Sequence, residues 1–183
     1  TGGVLAVNST PTNGGAVCMN SNTTATVSGG VIACNHAGSQ AGGIYVLGTG
    51  STLTVDGNAM FTMNTTKGNG GAIFTMSGWG AGGTVNLYVK EANNGGAIRT
   101  GSSDVNGGFL SVSGGKFYYN NAKSEGGAIH MNGLAGGCSV AGAVFSHNMA
   151  GTNGGAFSIT GQTSASLKDV TVVDNEAGGL GGG

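Results

Sequence analysis

The sequence predicts an all-β fold, a three-sided parallel β-helix in which coils of about 28 residues stack on one another. Glycine pairs return along the chain at a nearly constant step. Short alternating apolar segments recur between them, and an asparagine follows a large apolar residue once per repeat. A fixed period of this kind is typical of one structural unit stacked on copies of itself. We therefore expect a single domain, 1–183, of about 6.5 coils without evident caps.

The glycine pairs are predicted to form the sharp corners of the coil, because glycine adopts positive φ without a Cβ clash. The first strand of each coil follows the pair, and its alternation predicts an inner and an outer face. The expected inner residues include Val17, Met19, Tyr45, Leu47, Ile129, Met131, Phe157 and Ile159. The expected outer residues are Cys18, Val46, Phe74, Arg99, His130 and Ser158. Arg99 and His130 fall at equivalent outward positions in adjacent coils, which predicts a surface pair. The alternative is that they form part of a binding or catalytic site.

The second strand has the pattern Leu53-x-Val55, repeated as Leu110-x-Val112 and Cys138-x-Val140. The third carries a large apolar residue with asparagine three places later. These corner asparagines are Asn8, Asn35, Asn64, Asn120, Asn148 and Asn175. An asparagine amide there is expected to hydrogen-bond the corner backbone and its counterpart in the next coil. Counting such segments, with the irregular coil included, gives seven rungs for the third sheet and six for each of the others.

One coil departs from this pattern. The segment 85–93 is short and lacks the spacing between apolar residue and asparagine, and the next coil has extra residues at 102–106. We expect a loop that projects from the cylinder, and such loops on solenoids often bind ligands. The alternative is drift in the repeat with no function attached. The candidate binding loop comprises Trp79, Ser102, Ser103 and Asp104.

Two tetrapeptides carry a resemblance to a known family. Gly-Gly-Ala-Ile at Gly70–Ile73, Gly95–Ile98 and Gly126–Ile129, and Phe-x-x-Asn at 61–64, 117–120 and 145–148, resemble the paired repeats of the polymorphic outer-membrane protein family. Its members are surface-exposed autotransporter passengers and adhesins. The resemblance covers nearly the whole chain and implies a right-handed parallel β-helix at the cell surface or outside the cell. It implies no catalytic or binding residue.

The composition argues against several classes of function. Six basic and seven acidic residues give a formal net charge of −1, which argues against nucleic acid as a partner. No apolar run approaches the roughly 20 residues of a membrane span. The acidic residues do not form a catalytic pair, and the histidines and cysteines lack metal-ligand spacing. We therefore expect no enzymatic activity, no metal and no cofactor.

Two covalent modifications are suggested by the sequence. Cys138 lies about four repeats from Cys18 and Cys34, so the one disulfide that the spacing allows joins the latter two. Three small buried or free thiols are the favoured alternative. The acceptor pattern for N-glycosylation occurs at Asn22, Asn8 and Asn64. Asn22 is the best candidate because the other two also occupy the corner position.

These observations favour a structural extracellular protein that assembles end to end into filaments or a surface layer. The chain starts and ends within a coil, and solenoids without caps tend to associate at their edges. The alternative is a cell-surface adhesin or carbohydrate-binding module that recognises a glycan or cell-surface ligand.

Overall fold

The computed structural model describes residues 3–47, 51–56, 59–75, 79–81, 86–91, 95–100, 110–132, 137–161 and 164–183. These residues form strands, turns and bends and contain no helix. All the strand pairs found among them are parallel, and each joins one coil to the next at a spacing near 28 residues. The predicted β-solenoid is confirmed.

Three long parallel sheets form the sides of the solenoid. Sheet A contains β1 Val4–Ala6, β5 Val31–Ala33, β9 Met60–Thr66, β12 Asn86–Glu91, β15 Lys116–Tyr118, β19 Val144–Ser146 and β23 Thr171–Val173. Sheet B contains β3 Val17–Met19, β7 Ile44–Val46, β10 Ile73–Thr75, β13 Ile98–Thr100, β17 Ile129–Asn132 and β21 Phe157–Thr160. Sheet C contains β4 Thr24–Ser28, β8 Thr52–Asp56, β11 Trp79–Ala81, β14 Leu110–Ser113, β18 Gly137–Ala141 and β22 Ser164–Lys168. These numbers match the predicted rungs.

A fourth, shorter side was not predicted. Two-residue strands follow the corner asparagines: β2 Ser9–Thr10, β6 His36–Ala37, β16 Asn121–Ala122, β20 Met149–Ala150 and β24 Glu176–Ala177. The last three form a separate sheet, while β2 and β6 pair alongside β9. Buried Ala37, Ala122 and Ala150 lie in these strands, and their small side chains fit a narrow side of the cylinder.

The core consists of apolar side chains stacked on like side chains. Phe117 pairs with Phe145 in the next coil of sheet A, and the ring centroids are 4.4 Å apart with the planes inclined by 13°. Phe145 also contacts Phe157 of sheet B, at 4.3 Å between centroids. Both Phe117 and Phe145 are fully buried. Parallel registration produces these columns because equivalent residues occupy the same position in every coil.

The irregular coil lies where the sequence predicts it. Strand β12 pairs with β9, but the register shifts between Tyr88 and Val89 and again between Val89 and Glu91. Val89 stands opposite Asn64, so this coil has no asparagine at the corner position.

One part of the predicted register is wrong by a single residue. In β7 the inner side chains are Ile44 and Val46, while Tyr45 continues the outer row of Cys18 and Phe74. A slip of one residue exchanges the two faces of a strand. It arises because Ala41 takes the left-handed corner position, at φ 55°. The pair Gly42-Gly43 is therefore one residue out of phase with the pairs in the neighbouring coils.

Candidate functional site

The corner asparagines form columns of directed hydrogen bonds. The backbone nitrogen and the side-chain nitrogen of Asn35 both donate to Oδ1 of Asn64, at 3.1 and 2.9 Å. The Asn64 side-chain nitrogen donates back to the carbonyl of Ile32, at 2.8 Å. Asn8 donates to Asn35 in the same way. The six asparagines bind their counterparts in a neighbouring coil, as predicted, and Val89 divides them into two columns of three.

Sequence reasoning missed a second set of polar contacts at the glycine corners. The residue before the glycine corner often has an amide side chain, and it hydrogen-bonds the equivalent residue of a neighbouring coil. Gln40 receives a bond at its side-chain oxygen from the backbone of Asn69, at 2.9 Å, and Asn153 donates to Glu125, at 3.2 Å. The recurrence of asparagine before the pairs Gly14-Gly15, Gly70-Gly71 and Gly154-Gly155 was the signal that could have revealed it.

Arg99 and His130 are not a surface pair. They are register partners on β13 and β17, as the repeat predicts, but only 7% of Arg99 and 2% of His130 is exposed. The outer row of sheet B is buried in the neighbouring coils too. Tyr45, Phe74 and Ser158 are all nearly inaccessible, and the rings of Tyr45 and Phe74 stack at 5.4 Å. The alternation indicated correctly that Phe74, Arg99, His130 and Ser158 share one face of the sheet, but it did not indicate that this face is buried.

Arg99 and His130 have unsatisfied polar atoms. Within the described part of the chain, Nε of Arg99 and both ring nitrogens of His130 are buried without a hydrogen-bond partner. A carboxylate lies close by, because Oε2 of Glu125 is 3.5 Å from Nε2 of His130. That distance is too long for a strong hydrogen bond. We call Arg99, Glu125 and His130 the polar cluster.

Burial also governs the ionisation of the polar cluster. It lowers the pKa of His130 to about 3, and the positive charge of Arg99 acts in the same direction. The imidazole is therefore neutral near pH 7. Burial also lowers the pKa of Arg99, an effect that the Glu125 carboxylate opposes. At neutral pH the positive guanidinium of Arg99 thus lies beside the neutral imidazole of His130, and the Glu125 side chain lies close to the imidazole.

The candidate binding loop is only partly placed by the structure. Trp79 lies in strand β11 and shares its register position with the buried residues Leu53 and Leu110. The sequence suggested a loop at a corner, but Trp79 is a strand residue. Ser102, Ser103 and Asp104 lie outside the described residues.

The modification sites differ in access. Asn22 is exposed in a turn with a φ of 59°, whereas the Asn64 side chain is fully buried in its asparagine column. Asn8 is exposed, but its amide nitrogen donates to Asn35. Cys18 and Cys34 are exposed free thiols, and burial raises the pKa of the Cys138 thiol to about 11.

Among the described residues, no group of three or more histidine, cysteine, aspartate or glutamate side chains is arranged to hold a metal ion. That part of the chain also has no helix that could cross a membrane. Comparisons with protein families, curated proteins and solved structures found no match.

Proposed function

We propose that this chain is a structural, non-enzymatic β-solenoid that works outside the cell or at its surface and stacks end to end with further copies of itself. The observation that carries the proposal is the exposure of apolar side chains at the two ends of the core column that contains Phe145. Leu5 and Val172 occupy the position of Phe145 in the first and last described coils of sheet A. They are 44% and 41% exposed, while Ile32 and Phe145 beneath them are buried.

The first coil has a matching feature. A cavity of about 410 Å³ opens there, with the core side chains Val17, Met19, Val27, Ile32 and Leu53 among its lining. Strands β1, β3 and β4 each pair on one side alone within the described sheets. Another coil of the same repeat would supply partners for these strands and cover the apolar lining. Burying one large apolar side chain contributes roughly 1.5–3 kcal/mol.

The setting is supported by sequence features. The Gly-Gly-Ala-Ile and Phe-x-x-Asn repeats resemble those of the polymorphic outer-membrane protein family, whose members are surface-exposed. The chain has few charged residues, and its six basic and seven acidic residues nearly balance. Such a composition suits copies that pack against one another. A filament or a surface layer is the form of assembly that this arrangement favours.

Two variants of one edge strand test the proposal. Val172 points into the core column, and its neighbour Val173 points outward with a nearly equal exposure of 42%. We expect the chain to form elongated oligomers, V172K to prevent them, and V173K to leave them intact. Light scattering and negative-stain microscopy measure the outcome, with thermal unfolding as the control for folding. A wild-type chain that stays monomeric at high concentration, or equal effects of the two lysines, would overturn the proposal.

A further inference from the structure

We propose that end-to-end assembly proceeds by strand displacement, in which residues 170–183 of one copy replace residues 3–16 in the first coil of the next copy. This inference rests on the structural function proposed above and names the surface that receives the incoming copy. We call residues 3–16 the leading segment and residues 170–183 the trailing segment.

The two segments are equivalent parts of the repeat. Each contains a strand of sheet A, a corner asparagine, a short strand of the fourth side and a glycine corner. Leu5 corresponds to Val172, and Gly14 corresponds to Gly181, with a φ of 68° at both glycines. The trailing segment of one copy therefore fits the place that the leading segment occupies against β5 and β6 of another, as in a domain-swapped assembly.

The number of strands in each sheet favours displacement over simple stacking. Within the described residues, sheet A has seven strands along its length, whereas sheets B and C have six each. If β1 stacks directly on β23 of another copy, sheets B and C are one strand short at the junction. If β23 takes the place of β1, all three sheets continue without a gap, because β21 then meets β3, β22 meets β4 and β23 meets β5.

The apolar side chains of the two surfaces match in the displaced arrangement. Strands β3 and β4 contribute Met19 and Val27 to the cavity of about 410 Å³ at the first coil. The corresponding side chains of β21 and β22 are Ile159 and Leu167, and Leu167 is 52% exposed. Displacement stacks each of these pairs like on like, as in the interior columns of the core.

Pro11 identifies the leading segment as the one that is displaced. The residue after a short strand of the fourth side donates its backbone N–H to the preceding coil, as Gly38 does to Thr10 at 2.9 Å and Gly178 does to Ala150 at 3.0 Å. Pro11, the one proline of the chain, occupies this position after β2 and has no N–H to donate. Proline suits the edge of a sheet and not its interior. The trailing segment has glycine at this position and can take the interior place.

The asparagine column continues across the displaced junction. Asn8 donates to Oδ1 of Asn35 from its backbone nitrogen at 3.0 Å and from its side chain at 2.8 Å. Asn175 has the same two donor groups, and its side-chain nitrogen donates to the carbonyl of Val173 in its own coil, at 3.0 Å. When Asn175 replaces Asn8, both bonds to Asn35 are formed again, so displacement conserves the bonds of this corner.

A disulfide that ties β1 to its own copy tests the proposal. V4C/V31C joins register partners of β1 and β5, whose strands lie about 4.8 Å apart, within the Cα range of a disulfide. The pair is made in a C18S/C34S chain, because Cys18 and Cys34 are exposed thiols. We expect the oxidised form to give at least tenfold fewer elongated oligomers than the reduced form, and added reductant to restore them.

The matched control is V144C/T171C in the same C18S/C34S chain. It joins the equivalent register partners of β19 and β23, which stay together in one copy during displacement. We therefore expect its oxidised form to assemble like its reduced form. Peptide mass mapping verifies that each disulfide lies within one copy, thermal unfolding verifies the fold, and light scattering with negative-stain microscopy measures assembly.

The outcomes separate this proposal from the function on which it rests. Equal assembly of oxidised and reduced V4C/V31C, or loss of assembly with both disulfides, would overturn displacement and leave end-to-end stacking in place. Wild-type and reduced chains that all stay monomeric would overturn the proposed function itself.

Hydrogen–deuterium exchange of the wild-type chain gives a second measurement without a variant. In the single chain, the backbone N–H groups of Gly14 and Gly15 donate to the next coil, at 2.9 and 3.0 Å. We expect peptides from the leading segment to exchange at least tenfold faster in the oligomer than in the monomer, and peptides from the trailing segment to exchange more slowly. Slower exchange of both segments would indicate simple stacking and overturn the proposal.

Discussion

Asn148 accepts two hydrogen bonds from Asn120 on a single oxygen, one from the backbone nitrogen at 3.0 Å and one from the side-chain amide at 2.7 Å. The Asn148 amide itself donates to the carbonyl of Phe117, at 2.8 Å, and to Oδ1 of Asn175, also at 2.8 Å. One buried amide thus connects three coils.

Replacing this residue should therefore be costly. N148A leaves two donors of Asn120 without this acceptor and the carbonyl of Phe117 without its donor. We expect a loss of about 3 kcal/mol in the free energy of unfolding, since each buried polar group left unpaired costs about 1–3 kcal/mol. Urea denaturation measures it. The control is N20A, at an exposed position, which should stay within about 0.5 kcal/mol of the wild type.

Acid should destabilise the chain through His130. Its pKa is about 3 in the folded state, against about 6.5 in an unfolded chain. Between these values the unfolded chain binds a proton that the folded chain does not, so the stability contributed by the neutral imidazole is complete above pH 6.5 and is lost as the pH falls towards 3. The loss is on the order of 3 kcal/mol at pH 4.

Denaturation of wild type and H130F at pH 7 and pH 4 isolates this contribution. Arg99 and Glu125 are the charged groups that act on His130, and both remain in the variant. We expect H130F to lose much less stability on acidification. Equal pH dependence in the two proteins would contradict the assignment.

Gly127 should not tolerate alanine, for a reason distinct from backbone torsion. A Cβ there would overlap the carbonyl oxygen of Gly155 and lie 2.7 Å from the backbone nitrogen of Met149. These are backbone atoms that cannot rotate away, so we expect G127A to cost about 3 kcal/mol or to prevent folding. G29A is the comparison: Gly29 has a φ of 79° but no atom within 4 Å of an added Cβ. Its cost should stay near 1–2 kcal/mol, from torsional strain alone. Thermal unfolding of the two variants should separate them.

Glycosylation should distinguish Asn22 from Asn64. Both fit the acceptor pattern, but the Asn64 amide is buried and donates to Ile32. On secretion from a eukaryotic host, mass spectrometry should find glycan on Asn22, which N22Q abolishes. Glycan on Asn64 in a folded chain would contradict the structure.

Much of this architecture could be predicted from sequence, because the repeat imposes it. Stacking like on like requires equivalent residues in every coil, and the positions of Phe117 and Asn120 in the column follow from that requirement alone. The exchange of Tyr45 with Ile44 could not be predicted in the same way. Gly42-Gly43-Ile44 fits the glycine repeat in two registers, and only the backbone shows that Ala41 adopts positive φ.

The polar cluster was beyond the sequence for a different reason. Alternation places Arg99 and His130 on the side away from the main core, and charged residues there are ordinarily solvated. Both are nevertheless buried, at 7% and 2% exposure. The repeat period carries no information about this packing, so the interpretation as a surface pair was wrong.

The asparagine columns give the solenoid a direction along its axis. One side-chain N–H of Asn8, Asn35, Asn120 and Asn148 donates to the equivalent oxygen in the next coil, so these bonds all run in the same direction along the axis. The side-chain nitrogens of Asn35, Asn148 and Asn175 also donate back to a carbonyl of the preceding coil. Each column is therefore directional, and a further coil can continue it only if that coil is added in the same orientation, head to tail.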